Sequence, residues 1–306
     1  MDIPSAFCYH CLQKAVCNMK ARAIVERTMK GAFLACGLLT IIVVFAIAFY
    51  MILSGLPAIR EIGLWNFLSG TVWRSTGSDP QFGILPFILT SIVATLGALI
   101  IGVPIGLMTS IFLAKIAPPK IAAVVNTAVE LLAGIPSVVY GFVGMLVLVP
   151  TVQRVFGLVS GATLFAAIIV LSVMILPIMI NVSRIALVSV PKDYEEASYA
   201  LGATKVETIF KISVPAAKSG IAAGIVLGIG RAIGEAMAII LVIGNIPQMP
   251  RLFEGARTLT TAIAQELSYA SGLQREALFS IGLVLFVFIF LLNLTLNVVL
   301  KRGGVK

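Results

Sequence analysis

The order of apolar and polar positions divides the chain into long apolar stretches separated by short polar segments. Six stretches carry almost no charge and reach the ~20 residues that a helix needs to cross the hydrocarbon core of a bilayer. They predict six membrane-spanning helices, at residues 31–53, 84–114, 121–149, 162–182, 217–244 and 279–300.

Glycine and proline interrupt several of these stretches, including Gly102 and Pro104 in the second and Gly134 and Pro136 in the third. A backbone group freed by such a break must be satisfied by a neighbouring helix or by water in a cavity, because hydrocarbon offers no partner. Interrupted spans therefore favour a transport bundle over isolated membrane anchors.

The polar segment between the fourth and fifth stretches, residues 184–218, predicts two short helices. In the first, which Pro191 can begin, Tyr194, Ala197 and Leu201 share a face, and Gly202 supplies the stop. The second begins with Thr204 and Glu207 at the spacing of a capping box, and Pro215 limits it. Two amphipathic helices of mixed charge are suited to docking on another protein. A hairpin that packs only on its own bundle is the alternative.

Composition and charge place the chain in the membrane class. Hydrophobic residues make up 59% of the sequence, charged residues 11%, and the mean hydropathy is +1.08, which excludes an ordinary soluble domain. With the N-terminus in the cytoplasm, fifteen of the 22 basic residues face inward and six face outward, so the positive-inside rule favours cytoplasmic termini. The net charge of +9 then reflects topology and contact with anionic membrane lipids, and no nucleic-acid partner is expected.

Cys8, His10, Cys11 and Cys17 cluster in the N-terminal tail. The cluster lacks the second ligand pair of a zinc ribbon, so incidental thiols are favoured over a metal site, and no metal is expected.

Arg231 and Glu235 stand four residues apart near the middle of the fifth stretch. Ionisable groups at that depth usually mark a solute pathway. A guanidinium presents planar donors that suit phosphate or sulfate oxygens. Glu235, one helical turn away, can hold Arg231 when no solute is present and can accept a hydrogen bond from protonated phosphate, which sulfate does not offer. The alternative is an ion pair that only stabilises the bundle.

A third acidic position, Glu130, lies near the cytoplasmic side of the interrupted third stretch, where we expect a structural or gating role. No phosphate-binding loop, zinc motif or Ser-His-Asp set accompanies these residues, and His10 is the only histidine. The sequence therefore predicts a translocation subunit without catalytic residues and with no cofactor of its own, driven by an ATPase in a separate chain.

The cytoplasmic segment also resembles a known motif. Glu196-Ala197-Ser198, then Gly202, then Ile212-Ser213-Val214-Pro215 are similar to the EAA loop of ABC importer permeases, with Ser198 and Val214 replacing the usual Ala and Leu. The resemblance implies that this loop carries a coupling helix that docks on the ATP-hydrolysing subunit. The residues expected to dock are Glu196, Ala197, Leu201 and Gly202.

Further blocks resemble the PstC-type permease of phosphate importers. They are residues 82–86, residues 132–141, the Gly230–Glu235 segment ending in Ile243-Gly244-Asn245, and the external aromatic segment with Trp65, Phe67, Leu68 and Trp73.

The resemblance implies an all-α, six-helix type I ABC importer transmembrane subunit that carries inorganic phosphate from periplasm to cytoplasm across the inner membrane. It also implies three kinds of partner: a PstA-like second permease, cytoplasmic ATPase subunits and a periplasmic phosphate-binding protein. The expected organisation is a cytoplasmic tail at 1–30, a first helix at 31–53, a periplasmic segment at 54–83, a permease core at 84–300 with the loop at 184–218, and a cytoplasmic tail at 301–306.

Three alternatives remain at this point. The solute could be sulfate or molybdate. The chain could be an ion-coupled oxyanion carrier in which Arg231, Glu235 and Glu130 form a charge relay, although the EAA-like loop argues against it. It could also be a membrane scaffold without a solute path, which the central charge pair disfavours.

Overall fold

The structure is a computed structural model that describes the backbone of residues 5–75 and 80–302 and the side chains of residues 26–75 and 80–295. The chain separates into two compact units, Met1–Leu53 and Ser54–Lys306. In its described part the first unit is a single helix, and the second unit holds the other elements.

The described chain is almost entirely helical. Its helices are α1 (Ser5–Ile62), α2 (Leu64–Ser69), α3 (Leu85–Ile111), α4 (Pro119–Gly134), α5 (Ser137–Val143), α6 (Val149–Phe156), α7 (Leu164–Val188), α8 (Lys192–Ala200), α9 (Lys205–Thr208), α10 (Val214–Ala216), α11 (Lys218–Gly234), α12 (Met237–Ile240), α13 (Leu259–Glu266) and α14 (Gly272–Arg302). π-Helical stretches continue three of them, at Phe112–Ile116, Gly144–Leu148 and Ile209–Ser213. A short antiparallel ribbon pairs β1 (Trp73–Arg74) with β2 (Gln81–Phe82).

Five helical segments of the described chain are long and apolar enough to cross a membrane: Glu26–Ile62, Leu85–Ile116, Ser137–Phe156, Leu164–Val188 and Gly272–Thr295. A sixth span results if Lys205–Ala216 and Lys218–Gly234, which are bent by 69° at their junction, count as one. The predicted all-α membrane class is confirmed, with five apolar spans in the described chain, or six if the bent pair counts as one.

Helices α3 and α7 pack closely because glycines of α3 face large side chains of α7. A Cβ atom added at Gly97 would lie 2.7 Å from Ile168 Cδ1, and one at Gly102 would lie 2.6 Å from Ile175 Cδ1. Both distances are shorter than a normal van der Waals contact, so a larger residue at either glycine would push the helices apart. The two spans therefore form a tightly packed pair at the centre of the second unit.

The third apolar stretch breaks at the predicted proline. Pro136 disfavours the helical conformation of the preceding residue, and Ile135 is extended, with ψ 127°. The predicted helix at 121–149 is therefore two helical segments, and the second continues to Phe156.

The fifth stretch does not form the continuous helix predicted at 217–244. Helix α11 ends at Gly234, and Glu235 is extended, with ψ 129°. The Glu235 carboxylate accepts the backbone N–H of Ala238 at 3.0 Å, and its carbonyl accepts the Thr260 hydroxyl at 2.8 Å. These contacts stabilise a break that the apolar pattern alone does not reveal.

Candidate functional site

Arg231 lies in the last turn of α11, and its side chain is exposed in this chain. It makes no ion pair or hydrogen bond to another residue of the described chain. The guanidinium lines a cavity of about 270 Å³ formed where the third and fifth stretches break. The other lining residues are Leu132, Ala133, Tyr140, Met174, Pro177, Ile178, Asn181 and Val182. An unpaired cation in an otherwise largely apolar cavity is suited to an anionic solute.

Glu235 does not form the ion pair with Arg231 that the four-residue spacing predicted. Helix α11 ends at Gly234, and Glu235 is the residue that caps its C-terminal end. Glu235 is half-buried, is not among the residues that line the cavity, and uses its carboxylate to accept the Ala238 N–H. Its observed contacts hold the start of α12 and do not neutralise Arg231.

Two further polar side chains line the cavity, and sequence reasoning did not single them out as site residues. Tyr140 donates its hydroxyl to the Leu132 carbonyl at 2.7 Å, across the break between α4 and α5. Asn181, near the cytoplasmic end of the predicted fourth stretch, also lines the cavity. Each is a polar residue within an apolar stretch, which is the signal that could have identified it.

Glu130 lies on α4 with an exposed side chain and forms no ion pair within the described chain. It is not among the residues that line the Arg231 cavity. Its structural or gating role stays a prediction.

A second charged cluster, which the sequence did not predict, surrounds Arg257. This guanidinium forms an ion pair with Glu266 and donates to the Asn245 carbonyl at 2.9 and 3.1 Å. Glu266 also accepts the Trp73 indole N–H at 3.2 Å and the Gln274 amide at 2.9 Å. The Arg257 and Glu266 side chains are only 11% and 8% exposed. Through the bonds of Glu266 to Trp73 and Gln274, this cluster connects β1, α13 and the start of α14.

The four residues predicted to dock, which we call the docking surface, are all exposed: Glu196, Ala197, Leu201 and Gly202. Leu201 is 89% exposed and the neighbouring Tyr194 56%. The apolar face of α8 is therefore left uncovered by the described part of the chain, which argues against a hairpin packed on its own bundle through that face.

The predicted local geometry of this loop is confirmed. Gly202 has φ 83°, the left-handed conformation expected of a glycine that ends a helix. Thr204 and Glu207 form the predicted capping box at the start of α9. Hydrogen bonds from Thr204 and Lys211 lower the pKa of the Glu207 carboxyl, so the cap stays ionised.

The opposite side of α8 is attached to the membrane-spanning helices. The Glu195 carboxylate forms an ion pair with Lys115 at 2.5 Å and accepts the Ser213 hydroxyl at 2.8 Å. The Ser198 and Thr208 hydroxyls, both buried, lie 2.9 Å apart. Burial raises the pKa of Glu195, but the hydrogen bonds from Lys115 and Ser213 outweigh it and hold that pKa below its ordinary value.

No group of three or more potential metal ligands occurs among the described residues. Cys8, His10, Cys11 and Cys17 lie outside the described side chains.

Comparison with known proteins identifies the family. Residues 102–302 match the binding-protein-dependent transport system inner membrane component. The chain belongs to this family. A member of this family is a multi-pass component of the inner membrane and a translocation subunit, not an enzyme, so the predicted class is confirmed. The matched region includes the docking surface, Arg231 and Glu235.

Relatives of this permease match it in sequence over most of their length. It is 39% identical over 300 residues to the probable ABC transporter permease protein YqgH of Bacillus subtilis (strain 168), with 96% of each chain covered. It is 37% identical to the phosphate transport system permease protein PstC of Pasteurella multocida (strain Pm70), over 79% of this chain and 84% of the relative.

The fold of the permease is similar to that of a chain in a bacterial alginate ABC transporter, solved in complex with an alginate pentasaccharide-bound periplasmic protein. The TM-score is 0.63, and the likeness covers 90% of this chain and 96% of the other. At 20% identity it shows the shared fold alone.

Proposed function

We propose that this chain is the transmembrane permease subunit of an ATP-driven importer that moves inorganic phosphate from the periplasm to the cytoplasm. The observation that carries the proposal is the exposed, unpaired guanidinium of Arg231 on the wall of a cavity between broken spans. Arginine binds tetrahedral oxyanions through planar, charge-assisted hydrogen bonds.

The relatives favour phosphate over the other solutes. Permeases of the PstC type from Pasteurella multocida and Haemophilus influenzae, whose names assign them to phosphate transport, are 37% and 36% identical to this chain. Neither sulfate or molybdate transport nor an ion-coupled carrier has comparable support, and family membership calls for a partner ATPase.

Membership in this family implies a solute-binding protein and an ATP-hydrolysing subunit as partners. For this chain they would be a periplasmic phosphate-binding protein and cytoplasmic ATPase subunits, with a PstA-like permease completing the membrane assembly within the lipid bilayer. Both termini would lie in the cytoplasm, as the distribution of basic residues favours.

In this proposal each candidate residue has a separate role. Arg231 binds the anion, and Glu235 shapes the end of α11 beside it. Glu130 has a structural or gating role on α4. The docking surface of Glu196, Ala197, Leu201 and Gly202 contacts the ATPase subunit, because it leaves apolar and acidic groups uncovered on α8 and the turn that follows it.

Replacing the cation tests the proposal. Arg231→Ala should lower phosphate uptake by at least about tenfold, since a hydrogen bond to a charged group contributes roughly 1.5–3 kcal/mol and several would be lost. The amount of protein in the membrane should stay near normal, because Arg231 has no structural partner in the described chain. Uptake of radiolabelled phosphate with immunoblotting measures both quantities.

Arg154→Ala is the matched control, because Arg154 is an exposed basic residue of α6 outside the cavity. Its uptake should equal that of the unmodified protein. Normal uptake by Arg231→Ala, or its disappearance from the membrane, would contradict the role of Arg231 in the pathway.

A further inference from the structure

We propose that the Glu195–Lys115 ion pair connects the docking surface to the second membrane span, so that movement imposed on α8 by the ATPase subunit reaches the cavity wall. Glu195 and Lys115 are then positioning residues, since neither touches the solute. The inference rests on the proposed function, because it assumes that an ATPase docks on α8.

The first step is the two-sided construction of α8. Glu196 is exposed on the docking surface, whereas the adjacent Glu195 side chain is only 19% exposed. The Glu195 carboxylate forms an ion pair with Lys115 at 2.5 Å and accepts a hydrogen bond from the Ser213 hydroxyl at 2.8 Å. Consecutive acidic residues therefore have different surroundings, one available to a partner and one enclosed within the chain.

The second step leads from Lys115 into the membrane span. Lys115 lies in the π-helical stretch that continues α3, and its side chain is only 12% exposed. Because α3 and its π-helical end form one continuous helical span, Leu85–Ile116, a force on Lys115 acts on the end of that span.

The third step leads from α3 to the solute. The glycines of α3 lie against α7 so closely that added Cβ atoms at Gly102 and Gly106 would come within 2.6 Å of Ile175 Cδ1 and 3.0 Å of Met179 Cβ. Helix α7 in turn supplies Met174, Pro177, Ile178, Asn181 and Val182 to the cavity that contains Arg231. Tightly packed helices transmit displacement because their interface has no room to absorb it.

The other ion pair of the loop lacks such a connection. Lys211 and Glu207 are four residues apart, and their side chains are 73% and 46% exposed. Both residues lie on the same helical segment, Lys205–Ala216, so this pair joins no second element to it and provides a control of similar chemistry.

The test uses the whole complex, with both permeases, the ATPase and the binding protein, reconstituted in proteoliposomes. Phosphate uptake and ATP hydrolysis are measured together. Glu195→Gln and Lys115→Gln should each lower uptake per ATP about tenfold, within the ~5–150-fold range usual for coupling between sites. Co-purification of the ATPase should not change, because the docking surface is intact.

Exchanging the charges separates transmission from folding. The double variant Lys115→Glu with Glu195→Lys keeps an ion pair, and the Ser213 hydroxyl can serve as acceptor as well as donor. It should recover uptake per ATP to within about twofold of the unmodified complex, as expected when the loss lies in the pair itself. Lys211→Gln should behave as the unmodified complex.

Three results would overturn the inference: normal uptake per ATP in both single variants, failure of the charge exchange to restore it at normal protein levels, or loss of the variants from the membrane. The last would assign the pair to folding alone. Absence of phosphate uptake by the unmodified complex would contradict the proposed function instead. ATP hydrolysis stimulated by the loaded binding protein would still report on the ion pair in that case.

Discussion

Two arginines of the second unit have opposite surroundings. Arg257 is enclosed, with Glu266 and the Asn245 carbonyl as partners, whereas Arg231 is exposed to a cavity and has no ion-pair partner in the described chain. Removing a charge from water costs several kcal/mol unless partners replace the water, so an enclosed arginine belongs to the framework. An exposed arginine in an apolar cavity keeps its donors available for a solute.

Glu266→Gln should destabilise the protein strongly. It leaves the Arg257 charge buried without an anion, and breaking a buried pair in this way typically costs about 3–5 kcal/mol. A lower thermal unfolding temperature of the purified protein in detergent would show the loss.

Glu254→Gln is the control, because its ion pair with Arg251 is exposed on both sides and such pairs contribute roughly 0–1 kcal/mol. Equal unfolding temperatures for the two variants would show that the enclosed pair has no special importance.

Among the elements, α8 and its terminal glycine form the surface proposed to meet the ATPase. An added Cβ at Gly202 would contact nothing within 4 Å, so space does not restrict this position. The restriction is the backbone itself, since φ 83° is strained for residues with a branched Cβ atom.

Gly202→Val should therefore weaken docking by displacing Leu201 and the start of α9. The strain is about 1–3 kcal/mol, enough to lower the fraction of ATPase that co-purifies with the permease severalfold. Gly202→Asn is the matched variant, because asparagine tolerates the left-handed conformation better. Undiminished co-purification of Gly202→Val, together with normal solute-stimulated ATP hydrolysis, would argue against the docking role.

The elements also show which features can be predicted from sequence. The cap at Thr204 and the turn at Gly202 depend on residues a few positions apart, so the local pattern identifies them. The break after Gly234 depends partly on the Thr260 hydroxyl, which is distant in the sequence, while the surrounding apolar pattern continues unchanged to residue 244.

The candidate site likewise combines residues that the local sequence identifies with residues that only long-range packing brings together. Arg231 is recognisable because a charge within an apolar stretch is rare. Tyr140 and Asn181 join it only through the packing of separate helices. Glu266 likewise pairs with Arg257 and accepts the Trp73 N–H through contacts that no spacing rule describes. The relation between Glu195 and Lys115 is of the same long-range kind.

At the scale of the whole molecule, side-chain contacts join loops that the predicted topology places on the same side of the membrane. Lys115 forms an ion pair with Glu195, and this contact joins the end of the α3 span to the loop at residues 184–218. The Trp73 indole donates a hydrogen bond to Glu266, and this contact joins the segment before α3 to the segment before α14. By the positive-inside rule, the excess of basic residues predicts that the first pair of segments faces the cytoplasm and the second pair the periplasm.

This orientation can be tested with single cysteines in a protein that lacks the native four. An impermeant maleimide applied to cells with a permeable outer membrane should label Ser271→Cys and leave Ser189→Cys unlabelled. Both positions are exposed, so access to the reagent depends on the side of the membrane. Ser78→Cys should also react, although Ser78 lies outside the described residues. Labelling at position 189 alone would reverse the orientation and remove the docking surface from any cytoplasmic ATPase.

Because α11 ends within one turn after Arg231, its macrodipole acts on the guanidinium. The aligned peptide groups of a helix place roughly half a negative elementary charge at its C-terminus, which stabilises a cation in the last turn. The backbone thus compensates part of the Arg231 charge in place of a carboxylate. An arriving anion has no acidic side chain to displace from the guanidinium, and the part of the Arg231 charge that the helix leaves uncompensated attracts it.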